Sequence, residues 1–146
     1  MSRRIARDAA MRLIYAWEMG GEADLLINDD ALEYPSISPK DRQYIEQVVQ
    51  GVQQSCAELD AEIESFSNGW KVERIAKVDL SILRLALYEM SHRQDVPESS
   101  AINEAVELAK KYGSDKSAKF INGVLGGISR QRNQKQESEV ESIFGD

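Results

Sequence analysis

Apolar residues recur along this chain at intervals of three and four positions, which is the spacing of one face of an α-helix. Six segments show this spacing: residues 5–17, 45–56, 59–66, 78–90, 102–109 and 118–128. No segment alternates apolar and polar residues as a half-buried β-strand does. The pattern therefore predicts an all-α fold.

Residues that favour helix ends flank several of these segments. Gly20 and Gly21 follow the first segment, and a glycine after the last turn commonly ends a helix. Ser38 and Pro39 precede the second segment, where they suit the N-cap and the first helical position. In residues 78–90 apolar side chains occupy most of the helical circumference. We therefore expect this segment to be a central helix that is buried on several sides.

The run from Ser67 to Trp70 interrupts the helical pattern near the middle of the chain. It predicts a boundary between an N-terminal subdomain, residues 1–69, and a C-terminal subdomain, residues 70–130. Residues 131–146 are polar and charged, so we expect them to form a mobile tail, and the alternative is a short helix that docks Val140, Ile143 and Phe144. No apolar run approaches the roughly 20 residues of a membrane span. The sequence therefore predicts a cytoplasmic protein that makes no membrane contact.

Charge is distributed unevenly along the chain. The net charge of −7 argues against a nucleic-acid partner. Residues 1–12 nevertheless carry a net charge of +3, whereas residues 13–64 carry −10. The acidic cluster from Glu58 to Glu64 is interpreted as a solvated helix face. A cationic N-terminal segment thus precedes an acidic body, and nucleic acid stays a candidate partner.

The sequence lacks the residues from which most catalytic sites are assembled. It contains one histidine, His92, and one cysteine, Cys56. Glu89 and His92 match the Glu-x-x-His spacing of carboxylate di-metal proteins, but that chemistry requires a second such motif, and we interpret His92 as an exposed residue near a helix end. Zinc sites and Cys-His nucleophiles also need further ligands or bases. We expect neither enzymatic activity nor a bound metal or other cofactor.

Three arginines of the first predicted helix form a candidate binding surface. Arg3, Arg4 and Arg7 fall within about a third of the helical circumference, away from the apolar stripe that contains Ile5 and Ala9. Clustered guanidinium groups on one face can contact several phosphates. On charge alone, a solvated basic N-terminus that only increases solubility explains these arginines equally well.

Phe120 presents a second choice, on the last predicted helix. Gly123 and Gly127 lie on the same side of that helix and leave its backbone uncovered there. An RNA strand could approach this backbone closely and stack a base on the Phe120 ring. Lys116 and Lys119 would then contact the accompanying phosphates. In the alternative, Phe120 packs against a neighbouring helix and the glycines make room for it. Helix geometry by itself favours this alternative.

Three stretches carry a resemblance to a known family. They are RRIARDAAMRLIYAWE, DLSILRLALYEMSHR and VPESSAINEAVELAKKYGSDKSAKFINGVLGGI, and INEAVELAKKYG followed by KFINGVL is the most specific part. From about Arg3 to Ile128 the chain resembles the NusB family of bacterial transcription antitermination factors, with the weakest match in the acidic region 18–64. The resemblance implies two packed three-helix subdomains and a function without catalysis.

The resemblance also implies partners and their binding residues. It implies binding of the single-stranded boxA element of nascent RNA together with NusE, a ribosomal small-subunit protein, in an RNA polymerase antitermination complex that supports ribosomal RNA transcription. Carried over by position, the RNA-binding residues are Arg3, Arg4, Arg7, Tyr15, Lys119 and Phe120. Lys116 joins them, although the family pattern has an acid there. The acidic positions that meet NusE fall on Glu73 and Asp79.

Two other functions remain open. A helical protein-interaction module, such as a homodimer formed through the Phe120 face, would need no RNA. A module of this kind also precedes the catalytic domain of certain ribosomal RNA cytosine methyltransferases. The chain shows no strand-glycine-helix unit for a methyl donor, which argues against the enzymatic alternative.

Overall fold

In the structure, a computed structural model, residues 3–21 and 37–144 are described, with side chains as far as residue 139. All regular structure within these ranges is helical, which confirms the predicted all-α fold. The elements are α1 (Arg3–Glu18), α2 (Pro39–Gln54), α3 (Cys56–Ser65), a 3₁₀ turn (Val72–Arg74), α4 (Lys77–His92), α5 (Glu98–Tyr112) and α6 (Asp115–Phe144). None of the described helices is long and apolar enough to cross a membrane.

The predicted helix ends are confirmed at α1 and α2. Gly20 follows α1 with a φ of 102°, a conformation that glycine adopts without the steric cost of a Cβ atom. The N–H of Gly21 donates to the carbonyl of Ala16 at 2.9 Å, which satisfies one of the last carbonyl groups of α1. At the start of α2 the hydroxyl of Ser38 accepts a hydrogen bond from the N–H of Asp41 at 3.1 Å.

The central helix is α4, because it contacts each of the other five described helices. Every residue from Asp79 to Glu89 is buried, as the distribution of apolar residues predicts. α1 also packs against α2, and α5 packs against α6. One hydrophobic core therefore joins the two halves of the chain. The subdomain boundary at residue 69 stays a prediction.

Two glycines allow close contacts between helices. A Cβ atom at Gly51 of α2 would overlap the ring of Tyr88 of α4, so this helix pair depends on the missing side chain. A Cβ atom at Gly127 of α6 would lie 2.8 Å from Cδ1 of Phe66, which directly follows α3. Gly127 therefore makes room for Phe66.

Acidic residues of α3 form ion pairs with other helices. Asp60 accepts two hydrogen bonds from the guanidinium of Arg84 of α4, at 2.9 and 2.8 Å. Glu62 accepts one from Arg132 of α6 at 3.0 Å. The prediction that the whole cluster is a solvated face is therefore wrong. Helical periodicity identifies the apolar face, but it does not show which cations the other helices bring to the polar face.

The polar residues from 131 to 144 are helical and continue α6. Arg132 attaches the continuation to the body. Its guanidinium donates to Glu62 of α3 at 3.0 Å and to Ser91 of α4 at 2.9 Å, and it lies 3.8 Å from Glu98 of α5. A helix that is already nucleated by packed turns can be extended by polar residues. The mobility of the segment stays a prediction.

Candidate nucleic-acid interface

Arg7 lies in the interior between α1, α2 and α4. Its side chain is 10% exposed, and Nε and Nη2 donate to the two carboxylate oxygens of Glu89 at 2.8 and 3.0 Å. The hydroxyl of Tyr44 donates to the same carboxylate at 2.8 Å. Burial acts to lower the pKa of Arg7, but the hydrogen bond and the charge of Glu89 outweigh it and raise that pKa above its usual value. Arg7 and Glu89 thus form a buried ion pair.

This position contradicts the expectation that Arg7 faces solvent beside Arg3 and Arg4. The buried face of α1 includes Ile14, which is fully buried, whereas Ile5 is 41% exposed. Arg7 and Ile14 are seven residues apart and so share one side of a helix. Counting Ile5 as a core residue rotated the predicted apolar face away from Arg7.

Arg3 and Arg4 do lie at the surface, and each has a carboxylate beside it. Nε and Nη2 of Arg4 donate to the two carboxylate oxygens of Glu104 of α5, at 3.0 and 2.8 Å. The Arg3 guanidinium lies 3.9 Å from Asp41 and 4.2 Å from the centre of the Tyr44 ring. We call Arg3 and Arg4 the arginine surface. Its charge is locally compensated.

The two aromatic residues predicted to meet RNA are both half-buried. Tyr15 and Phe120 pack against the hydrophobic core. Phe120 also lines two surface grooves that flank the beginning of α6. Part of its ring surface is therefore used for packing, as the alternative interpretation expects, and part faces the grooves.

The larger groove, of about 710 Å³, lies between the end of α3 and α6. Phe120, Lys119, Gly123 and Arg130 line it on the α6 side. A Cβ atom at Gly123 would meet nothing within 4 Å, which confirms the bare backbone predicted there. Lys119 and Arg130 are exposed, and neither forms an ion pair with the part of the chain that the structure describes. The groove thus combines an aromatic ring with unpaired cations.

The smaller groove, of about 270 Å³, lies between the segment that leads into α4 and the first turn of α6. Its lining includes Trp70, which is 52% exposed, together with Asp79, Lys116 and Phe120. Burial raises the pKa of Asp79 above its usual value, although a hydrogen bond with Ser117 opposes this. The other predicted partner-binding acid is exposed on the 3₁₀ turn, at Glu73. The two predicted NusE positions thus differ in accessibility.

We call Lys116, Lys119, Phe120 and Arg130 the lysine surface. A contact between α5 and α1 relates it to the arginine surface: Lys111 at the end of α5 donates to Asp8 of α1 at 2.6 Å. Asp8 follows Arg4 by one turn of α1, and α6 begins shortly after Lys111. A short turn therefore joins the end of α5 that contacts α1 to the beginning of α6.

Two residues of the candidate interface are absent from the sequence prediction. Arg130 follows Lys119 by eleven residues, or three turns of helix, and this spacing places both on one face. Helical periodicity could therefore have identified Arg130 as a residue of the same surface as Lys119. Glu104 is recognisable only from its contact with Arg4, because nothing in the local pattern of α5 shows which residue of α1 will face it.

The residues considered for catalysis occupy unremarkable positions. His92 is exposed at the end of α4, as predicted, and its ring stacks on Tyr88 with 4.7 Å between the ring centres. Cys56 is half-buried, and burial raises the pKa of its thiol. Within residues 3–21 and 37–144 no three potential metal ligands among the described side chains form a cluster.

Comparison with known proteins identifies a family. The model of the NusB family matches residues 4–130. The transcription antitermination protein NusB of Acetivibrio thermocellus is 51% identical over 128 residues, which cover 88% of this chain and 88% of that protein. The NusB protein of Ruminiclostridium cellulolyticum is 44% identical over 131 residues, covering 89% of this chain and 90% of that protein.

Solved structures agree with this match. A crystal structure of antitermination factors NusB and NusE in complex with double-stranded RNA superposes with a TM-score of 0.80 and 27% identity, over 88% of this chain and 96% of that chain. NusB of T. maritima superposes with a TM-score of 0.78 and 27% identity, over 89% of this chain and 92% of that chain. On the family match and these similarities together, the chain belongs to the NusB family.

Proposed function

We propose that the protein is a transcription antitermination factor that binds single-stranded boxA-type RNA together with the ribosomal protein NusE. It would act in the cytoplasm with RNA polymerase on ribosomal RNA genes. Membership of the NusB family supports the class of factor. The structural relative that forms a complex with NusE and RNA supports the two partners.

The observation that carries RNA binding is the composition of the lysine surface. A partly accessible aromatic ring, Phe120, lies among cations that no carboxylate of the described chain neutralises. Proteins that bind single strands combine these two elements, since bases stack on the ring and phosphates pair with the cations. Gly123 adds open backbone on which a strand can approach closely.

The arginine surface contributes phosphate contacts in this proposal. Arg3 and Arg4 are accessible enough to meet phosphates directly, and Tyr15 lies on the same helix. The buried Arg7 has a structural role in this proposal, because its bidentate pair with Glu89 fixes α1 against α4. A charged hydrogen bond of this geometry defines the orientation of α1 more closely than apolar packing alone.

The surface around Glu73 and Asp79 is the proposed contact for NusE. Opposite potentials steer association, and a ribosomal protein is expected to be basic. The exposed ring of Trp70 lies in the same groove as Asp79 and supplies an apolar anchor of the type that dominates binding energy at interfaces.

The test is a fluorescence titration of a labelled single-stranded boxA-type RNA with the protein, alone and with NusE, at two salt concentrations. Phe120→Leu keeps an apolar side chain for packing but removes the aromatic face. Lys119→Glu reverses one charge of the larger groove. Lys135→Glu is the matched control, because Lys135 is an exposed lysine of α6 that lines a different groove.

We expect NusE to tighten binding and salt to weaken it, since phosphate contacts release counterions. Phe120→Leu and Lys119→Glu should each weaken binding, whereas Lys135→Glu should change it little. A double-stranded competitor of the same sequence distinguishes the two forms of RNA. No binding by a folded protein, with or without NusE, would contradict the proposal. Mass measurement in solution would then test the homodimer alternative.

A further inference from the structure

Three arginines in the first half of α1 each lie beside a different carboxylate. Arg3 lies beside Asp41, Arg4 beside Glu104 and Arg7 beside Glu89. Only the last of these pairs is buried, and a buried ion pair is costly to separate. The exposed pair between Arg4 and Glu104 is different, because solvent can replace either partner at small cost.

Glu104 engages Arg4 in the geometry that a phosphate would use. Both carboxylate oxygens accept hydrogen bonds from the Nε and Nη2 edge of the guanidinium, at 3.0 and 2.8 Å. Arginine binds carboxylate and phosphate through this same bidentate fork. Arg4 is 70% exposed and Glu104 only 20%, so an incoming strand reaches the guanidinium more easily than the carboxylate. The hydrogen bond from Arg4 lowers the pKa of Glu104, and the group is therefore ionised at neutral pH.

Glu104 also has a second cation within reach. One of its oxygens lies 3.9 Å from Nη1 of Arg7. When a phosphate takes Arg4, the carboxylate of Glu104 therefore keeps a positive neighbour and does not become an isolated charge. The exchange replaces one bidentate partner of Arg4 by another without unfolding any element.

We propose that Glu104 is a specificity-determining residue that competes with RNA phosphates for Arg4 and so restrains the arginine surface from binding polyanions indiscriminately. The inference rests on the proposed RNA-binding function. A strand that binds only through its charges must displace Glu104 and therefore gains little affinity from Arg4. A strand that also stacks on Phe120 has a further source of affinity, which the competition does not touch.

The experiment compares two labelled RNAs of equal length, a boxA-type sequence and oligo(U), with full-length protein. The variants are Glu104→Gln, Arg4→Ala and the double variant. Glu107→Gln is the matched control, because it removes one charge from the same helix. The charge of Glu107 also acts on Arg4, but only Glu104 holds Arg4 through the two hydrogen bonds. Glutamine has nearly the shape of glutamate, and equal unfolding curves for all single variants verify the fold.

We expect Glu104→Gln to bind oligo(U) about twofold to fivefold more tightly, the range that corresponds to loss of an exposed ion pair. Binding of boxA-type RNA should gain less, so that the ratio of the two affinities falls. The gain should vanish in the Arg4→Ala background, because the two residues form one thermodynamic cycle. Glu107→Gln should leave the ratio unchanged.

Several results would overturn the inference. Weaker binding by Glu104→Gln would make Glu104 a support for Arg4 and not a competitor. Equal gains in Glu104→Gln and Glu107→Gln, equal gains for both RNAs, or a gain that persists without Arg4 would assign the effect to overall charge. These results leave the proposed function intact if Phe120→Leu still weakens RNA binding. Absence of RNA binding in the wild type and in Glu104→Gln would refute both.

Discussion

The arginine surface and the lysine surface are both positively charged, but within the described chain carboxylates lie beside the cations only on the arginine surface. Each arginine of α1 from Arg3 to Arg7 lies beside a carboxylate of another helix. Lys116, Lys119 and Arg130 of α6 have no such partner within residues 3–21 and 37–144. A ligand must therefore compete with carboxylates of the described chain for the cations of the arginine surface, but not for those of the lysine surface.

This difference shows that clustered charge in a sequence does not measure the charge offered to a partner. Among the described helices α1 has the highest net positive charge, yet three of its arginines face carboxylates of other helices. The lysine surface is less conspicuous in the sequence, because Arg130 follows Lys119 only after three turns of α6. Accessible charge depends on the carboxylates that tertiary structure brings near, and these lie on α2, α4 and α5.

The largest expected effect concerns the buried ion pair of Arg7 and Glu89, beneath the arginine surface. Glu89→Ala leaves Arg7 and the Tyr44 hydroxyl without their shared acceptor in the core. Removing one partner of a buried ion pair costs about 3–5 kcal/mol, so we expect a loss of this size in the free energy of unfolding in urea. Glu107→Ala, at an exposed position of α5, should change it by less than about 0.5 kcal/mol. Similar values for both would mean that the Arg7 pair has no structural role.

Two glycines allow a comparison between a closely packed helix contact and the open groove of the lysine surface. Gly51→Ala forces a methyl group into the ring of Tyr88, and overpacking of this kind costs about 1–3 kcal/mol. Gly123→Ala meets open space and should stabilise α6 by about 0.5–1 kcal/mol, because alanine loses less backbone entropy in a helix. Thermal or urea unfolding measures both. A destabilised Gly123→Ala would show that the groove beside Phe120 is occupied by the protein itself.

The salt dependence of RNA affinity separates the two surfaces directly. Lys119→Ala should reduce the slope of log affinity against log salt by about 1, as expected when one phosphate contact is lost. Arg4→Ala should reduce it less, because a phosphate that binds Arg4 displaces Glu104. The measurement is the same RNA titration at several salt concentrations. A larger reduction for Arg4→Ala would mean that ion pairing with Glu104 does not limit its contact with RNA.

The smallest expected effect is at Asp79, where it is visible mainly as a pH dependence. Burial raises the pKa of this carboxyl, so the folded protein binds its proton more tightly than the unfolded chain does. The free energy of unfolding should therefore lose a contribution as pH rises through the region above the usual pKa of aspartate, about 3.9. Asp79→Asn should remove this decline, and urea unfolding from about pH 4 to pH 7 measures it. Glu73→Gln, at the exposed position, should leave the profile unchanged.

The sequence is sufficient to predict the elements of this fold but not all of its contacts. The ends of α1 and α2 depend on Gly20 and Ser38, which act within a few residues of their own position. The partners of Arg7 and Arg4 lie 82 and 100 residues away along the chain. Helical periodicity describes one helix at a time, so it carries no information on which polar faces meet.

The candidate site shows the same limit. The open backbone at Gly123 follows from its position on the exposed face of α6 and could be predicted. The role of Gly127 in making room for Phe66 could not be predicted, because Phe66 reaches it from the end of α3. The half-burial of Phe120 combines the two interpretations that the sequence left as alternatives.

The length of α6 gives the lysine surface a fixed scale. Lys119 and Arg130 are carried by one uninterrupted helix, and eleven residues of helix rise by about 16 Å. Arg132 holds the following turn against α3, α4 and α5. The helix thus fixes the distance between the backbone positions of the two cations. A strand that pairs with both cations at once must bring two of its phosphates within reach of side chains whose backbone positions are this far apart along the helix.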